Sequence, residues 1–237
     1  MGKTLKFRIN MKYKYQLSAS LICANQINIE SDIKLLEKGK IDYLHFDVMD
    51  GLFVPRYGMY PEQLAAIKSI SSLPIDVHMM TEEPHRYIDE FISVRANIIA
   101  VQVEACKHLH YTLKKIKDGG AKSGVVLNYA TPLNVLDYIL DYVDMVELMA
   151  INPGIVGHKI IPGIYKKISD LKQKINESGK NIIIEIDGGV NPDTASNMIK
   201  AGADMLVCGT SSIFKPDISV DIKISEFRNS INKDLNQ

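Results

Sequence analysis

His45 and Asp47 stand two residues apart in Leu44-His45-Phe46-Asp47-Val48-Met49-Asp50-Gly51, an apolar stretch that runs into an Asp-Gly turn signal. In an extended strand residues i and i+2 share a face, so the imidazole and the carboxylate project together while Phe46 and Val48 project to the other side. Taken alone, such a pair reads as a core histidine beside an edge aspartate. Two further stretches change that reading. His78 ends Ile75-Asp76-Val77-His78, and Asp187 ends the apolar run of Ile184-Glu185-Ile186-Asp187-Gly188-Gly189. Two imidazoles and two carboxylates at strand ends make a divalent metal site of mixed nitrogen and oxygen donors, which suits Zn2+, Fe2+, Mn2+ or Co2+ without choosing among them.

These side chains need a scaffold that brings several strand ends to one place. Apolar runs at 17–22, 43–48, 75–79, 98–103, 123–127, 145–149, 182–186 and 205–208 are short and rich in Ile, Val and Leu, as strands covered on both faces are. Between them lie helical patterns at 29–38, 61–69, 84–94, 109–119, 133–142, 164–178 and 192–202. Several of these carry boundary signals, with Pro132 and Pro192 as first-turn prolines and Gly119, Gly179 and Gly202 past the last turn. The repeated alternation of strand and helix predicts a single (β/α)8 barrel; a doubly wound open sheet is the lesser alternative.

In such a barrel chemistry belongs to the C-terminal ends of the strands, and phosphate is frequently bound by the loops after the seventh and eighth strands. Gly188-Gly189 follows the seventh candidate strand and Gly209-Thr210-Ser211 the eighth. Gly154, Ile155, Val156 and Gly157, after the sixth, close a third side. Glycine lets backbone N–H groups approach an anion closely. Met49, Met79, Met80 and Met149 gather at the same strand ends, where thioethers form a dry, soft lining.

Composition narrows the function class further. Nearly half of the 237 residues are apolar, which fits a globular protein with one large core, and no run approaches the roughly 20 residues of a membrane helix. Twenty-eight basic residues balance 28 acidic ones, which gives no reason to expect nucleic acid as a partner. The three cysteines are far apart and read as small buried thiols of a cytoplasmic protein. Residues 1–16 are basic and without an acid, lack the apolar segment of a secretory signal, and read as an extension before a barrel spanning 17–237.

With these motifs assembled, the chain resembles the ribulose-phosphate 3-epimerase family from Leu17 to about Phe214. The motifs that carry the resemblance are Ser18-Ala19-Ser20-Leu21, His45 to Gly51 with Phe53-Val54-Pro55, Asp76-Val77-His78-Met79-Met80, Val103-Glu104-Ala105, Leu127-Asn128 with Thr131-Pro132, Met149 with Asn152-Pro153-Gly154, Asp187-Gly188-Gly189-Val190-Asn191, and Gly209-Thr210-Ser211. The resemblance implies a barrel enzyme that interconverts D-ribulose 5-phosphate and D-xylulose 5-phosphate with one divalent metal, and it implies self-association into a homo-oligomer. It assigns His45, Asp47, His78 and Asp187 as metal ligands and Asp47 and Asp187 as the acid/base pair. Ser20 matches a substrate contact, Met49, Met80 and Met149 a methionine lining, and Gly154–Gly157, Gly188-Gly189 and Gly209-Thr210 a phosphate cradle. Inverting a carbon next to a ketone requires taking a proton from one face and returning one to the other, a task two opposed carboxyl groups perform.

Several positions depart from the family pattern. Ala19, Cys23, Asn25, Leu52 and Arg56 replace proline, serine, aspartate, histidine and asparagine, and Gln102 stands where histidine is common on the fourth strand. Ile155-Val156-Gly157-His158 replaces Phe-Gly-Gly-Gln, and Val156 does not easily take up positive φ. These changes leave the chemistry intact and keep two neighbouring readings open: the same epimerisation on a six-carbon phosphate such as D-allulose 6-phosphate, and a non-catalytic phosphosugar-binding barrel. An aldolase or decarboxylase on a similar barrel would not need both His45 and His78.

Overall fold

The computed structural model describes residues 13–155, 157 and 159–236. Eight strands, β1 (Gln16–Ser20), β2 (Tyr43–Met49), β3 (Ile75–Met80), β4 (Ile98–Gln102), β5 (Lys122–Leu127), β6 (Met145–Met149), β7 (Ile183–Asp187) and β8 (Met205–Cys208), pair in parallel and close in chain order. Among the described residues seven helices cover the outside: α1 (Ile29–Lys38), α2 (Pro61–Ile70), α3 (Ile88–Ser93), α4 (Leu109–Asp118), α5 (Ile164–Ser178), α6 (Ala195–Ala201) and α7 (Val220–Leu235). This is a (β/α)8 barrel. Every residue of β2 and of β3 is buried, because helices cover one face of each strand and the barrel interior fills the other. Outward-facing Phe46, Val48, Val77 and Met79 pack against the helix layer, whereas Tyr43, Ile98, Ala100, Val126, Met145 and Met205 plug the interior.

Three predicted helices differ in form. Residues 133–142 make two short 3-10 turns, Leu133–Leu136 and Leu140–Tyr142. Asn134, Val135, Asp137, Tyr138 and Asp141 are all weak helix formers, so the apolar spacing alone does not sustain an α-helix there. The 84–94 pattern divides into the 3-10 turn Pro84–Arg86 and α3. α6 begins at Ala195, because Asn191 Oδ1 accepts the N–H groups of Asp193 and Thr194 and occupies residues 191–194 with a side-chain-stapled turn.

α7 is the helix that the barrel repeat requires after the eighth strand, and its Val220, Ile224, Phe227 and Ile231 have helical spacing and are buried. It locks the barrel seam: Arg228 reaches Asp42 Oδ2 at 2.6 Å and the Lys40 carbonyl at 3.2 Å, and the same Asp42 oxygen accepts the N–H of Leu17 on β1. Tyr15, just before β1, is buried, and residues 1–12 of the basic segment lie outside the described residues. Among the described residues no helix is long and apolar enough to cross a membrane, and the three cysteines are unpaired.

Candidate metal centre and phosphate pocket

Strand register decides which inward side chains meet. In the β2–β3 ladder His45 pairs with Asp76, Asp47 with His78, and Met49 with Met80. In the β6–β7 ladder Glu147 pairs with Glu185 and Met149 with Asp187. β2 and β7 lie three places apart around the barrel, on either side of β1 and β8, so their inward residues face each other across its mouth. His45, Asp47, His78 and Asp187 each bring a ligand atom to within 4.8 Å of the others. All four predicted metal residues therefore converge.

Both histidines are held on one ring edge and present the other toward Asp47. His45 Nδ1 lies 2.9 Å from Asp76 Oδ2, which holds the proton on Nδ1 and turns the Nε2 lone pair toward Asp47 Oδ1 at 3.3 Å. His78 Nδ1 lies 3.7 Å from the same Asp47 oxygen and 3.0 Å from Glu147 Oε1. Among the described residues neither His45 Nε2 nor His78 Nδ1 makes a directed hydrogen bond, although the Glu147 carboxylate stands 3.0 Å from His78 Nδ1, and both rings are fully buried. Buried polar nitrogens left unpartnered are costly, and here they aim at two carboxylates in a donor set of the kind that divalent ions take. The residues present fit a metal ion.

The carboxyls are driven apart in acidity. Burial pushes Asp47 up, but the imidazoles of His45 and His78 and the Ser20 hydroxyl outweigh it and hold Asp47 at about 2. Burial, together with the charges of Asp47 and Glu147, pushes Asp187 up to about 7 against the pull of the histidines. Burial disfavours the charged form of His45, yet Asp47 and Asp76 raise it well above the ordinary imidazole value. Glu185 is raised well above its usual value by burial, Asp76 and Glu147.

Above this centre opens a pocket lined by Ser20, Met49, Met80, Met149 and the three glycine-bearing loops. Ser20 donates to Asp47 Oδ2 at 2.8 Å. Gly154, Ile155, Gly157, Gly188, Gly189, Gly209 and Thr210 all reach the lining, and Val156 lies outside the described residues. Two glycines are required by space as well as by backbone. At Gly154 (φ +71°) a Cβ would stand 2.6 Å from Val54 Cβ, where the β2–α2 loop meets the β6–α5 loop, and at Gly188 (φ +96°) it would stand 2.4 Å from Ile151 Cγ1. Asp50 braces the first of these loops by accepting the N–H groups of Leu52, Phe53 and Glu82. Met79 is the exception among the strand-end methionines: strand alternation sends it into the helix-facing core. Cys23 and Arg56, two of the departures from the family pattern, line the pocket.

Glu147 and Glu185, to which the sequence assigns no role, are fully buried, and among the described residues their carboxylate oxygens make no directed hydrogen bond. Their signal was available: each stands two residues before a pocket-lining residue, Met149 or Asp187, and so shares its face.

The ribulose-phosphate 3 epimerase family model matches residues 16–214. The ribulose-phosphate 3-epimerase of Bacillus subtilis is 43% identical over 216 residues, covering 91% of this chain and 99% of that protein. The chloroplastic ribulose-5-phosphate-3-epimerase of Arabidopsis thaliana is 42% identical over 209 residues, covering 87% of this chain and 74% of that protein. Among solved structures, one of KGPDC from Streptococcus mutans superposes with a TM-score of 0.72 at 13% identity, covering 93% of this chain and 99% of that one, a likeness of fold.

Proposed function

Since the chain belongs to the ribulose-phosphate 3-epimerase family, we propose that it inverts carbon 3 of a ketose phosphate, interconverting D-ribulose 5-phosphate and D-xylulose 5-phosphate. Asp47 and Asp187 are the proton-transferring pair, and His45, Asp47, His78 and Asp187 hold one divalent ion. The observation that carries the reading is the convergence of two carboxyl groups and two imidazoles within 4.8 Å, whose facing nitrogens make no directed hydrogen bond among the described residues, at the floor of a pocket rimmed by glycine-bearing loops.

The substrate phosphate is received by backbone N–H groups of the loops at Gly154–Gly157, Gly188-Gly189 and Gly209-Thr210, which fixes the distance from phosphate to reacting carbon. Asp47 and Asp187 come from strands on different sides of the mouth, so one takes the carbon-bound proton from one face while the other, protonated, delivers to the opposite face. Reversal of the reaction exchanges their roles. Ser20, bonded to Asp47 Oδ2, holds that carboxylate in orientation. Met49, Met80 and Met149 exclude water from the reacting carbon. A bound divalent ion supplies Lewis-acid stabilisation of the negative charge that develops beside that carbon.

Replacing Asp187 with asparagine tests the assignment. Turnover is expected to fall by about 10²–10⁴-fold, the usual contribution of one positioned proton-transfer group, while phosphosugar binding survives. Unimpaired turnover would overturn the assignment of Asp187.

A further inference from the structure

His45 and His78 are both gripped on the ring edge that faces away from the metal centre, but by different chemistry. Asp76 offers His45 only acceptor oxygens, which leaves no choice of tautomer. His78 Nε2 instead meets a neutral amide, 2.9 Å from Gln102 Nε2. Gln102 is fully buried, and among the described residues its Oε1 has no hydrogen-bond partner. On the other ring edge His78 Nδ1 and both Glu147 oxygens also lack a directed hydrogen bond, although Glu147 Oε1 stands 3.0 Å from Nδ1.

The oxygen and nitrogen of a side-chain amide exchange places by a half-turn about its last bond, and the hydrogen-bond network decides between them. With the nitrogen toward His78, the ring keeps its lone pair at Nε2 and its proton at Nδ1, and no donor faces the ion. With the oxygen toward His78, the Nε2–H donates to an acceptor that otherwise has no partner, and Nδ1 presents its lone pair on the side of Asp47. We infer that Gln102 is a positioning residue acting through His78: its amide oxygen accepts the Nε2 proton and thereby fixes Nδ1 as the metal donor. The inference rests on the metal centre proposed above. It brings β4 into a site whose ligands come from β2, β3 and β7, and it gives a role to one of the positions that depart from the family pattern.

The test is the zinc affinity of the wild-type protein, Gln102→Leu and Gln102→Glu, measured by competition with a chromophoric chelator. It is joined by long-range ¹H–¹⁵N spectra of the ¹⁵N-histidine-labelled protein, which report the tautomer of His78. Gln102→Leu removes the acceptor at similar bulk, and its zinc affinity is expected to fall about 10–100-fold, the usual effect of losing such an outer partner. Gln102→Glu keeps an acceptor and is expected to retain affinity, and the spectra are expected to show His78 protonated at Nε2. Unchanged affinity in a folded Gln102→Leu protein, or a His78 proton on Nδ1, would overturn the inference. Wild-type protein that binds no zinc would refute the metal centre itself; the tautomer of His78, read in alkaline buffer without metal, would still decide for or against Gln102.

Discussion

Replacing Asp76 with asparagine changes one atom of a side chain that does not line the pocket, yet it is expected to act on the proposed metal centre through His45. Asp76 is buried, accepts the Ser18 hydroxyl on Oδ1 at 2.9 Å and meets His45 Nδ1 with Oδ2 at 2.9 Å. Asparagine preserves this shape: its oxygen takes the His45 proton and its NH2 donates to the Ser18 oxygen, whose own proton turns away. The fold is therefore expected to survive. What disappears is the negative charge that makes His45 a stronger donor at Nε2. Loss of such an outer partner lowers metal affinity by about 10–100-fold, which corresponds to about 1.4–2.7 kcal/mol. If the amide turns its NH2 toward His45, the proton moves to Nε2 and a ligand is lost, so the effect lies at or beyond the upper end of that range. Competition titration with a chelator measures the affinity, and circular dichroism melts verify folding. A folded Asp76→Asn protein with wild-type metal affinity would refute the reasoning that Asp76 prepares His45 Nε2 as a ligand.

Zinc in hundredfold excess over its dissociation constant is expected to stabilise the fold by about 2.7 kcal/mol. The gain should shrink toward acid pH, because Asp187, at about 7 in the metal-free protein, and the imidazoles must shed protons to ligate. Without metal, the Asp187 contribution has the opposite slope. Its folded value lies above the unfolded value of about 3.9, so the folded protein holds the extra proton between about pH 4 and pH 7, and that contribution is lost as pH rises through this window. Differential scanning calorimetry with and without zinc from pH 5 to pH 8 reads both trends. Gly154→Ala places a side chain at φ +71° and against Val54, a backbone cost of about 1–2 kcal/mol. Steady-state kinetics should show the KM for phosphosugar raised about tenfold, a smaller change in kcat, and weakened competitive inhibition by inorganic phosphate.

The strands were legible as apolar runs of strand length, and the four candidate ligand residues as imidazoles and carboxylates in or at the end of three of those runs, β2, β3 and β7. Phe46 and Val48 outside, with His45 and Asp47 inside, follow from alternation alone. What could not be read was adjacency across strands. That Asp76 meets His45, and Gln102 and Glu147 meet His78, depends on the stagger with which eight strands close, and no single segment encodes that stagger. Position in the chain alone places Met79 with the pocket methionines, and only its parity within β3 separates it from Met80. The 133–142 segment shows the converse limit: its apolar spacing was helical, but residues of weak helix propensity settle into 3-10 turns once the barrel supplies the packing.

The most direct test of the central claim is proton NMR of the metal-loaded protein with D-ribulose 5-phosphate in D2O, following solvent exchange at carbon 3 and the appearance of D-xylulose 5-phosphate together. Deuterium incorporation at carbon 3 accompanied by xylulose product is the expected result, since two opposed carboxyl groups must exchange with solvent while inverting the centre. Absence of both signals, with metal bound, would contradict the pentose phosphate assignment.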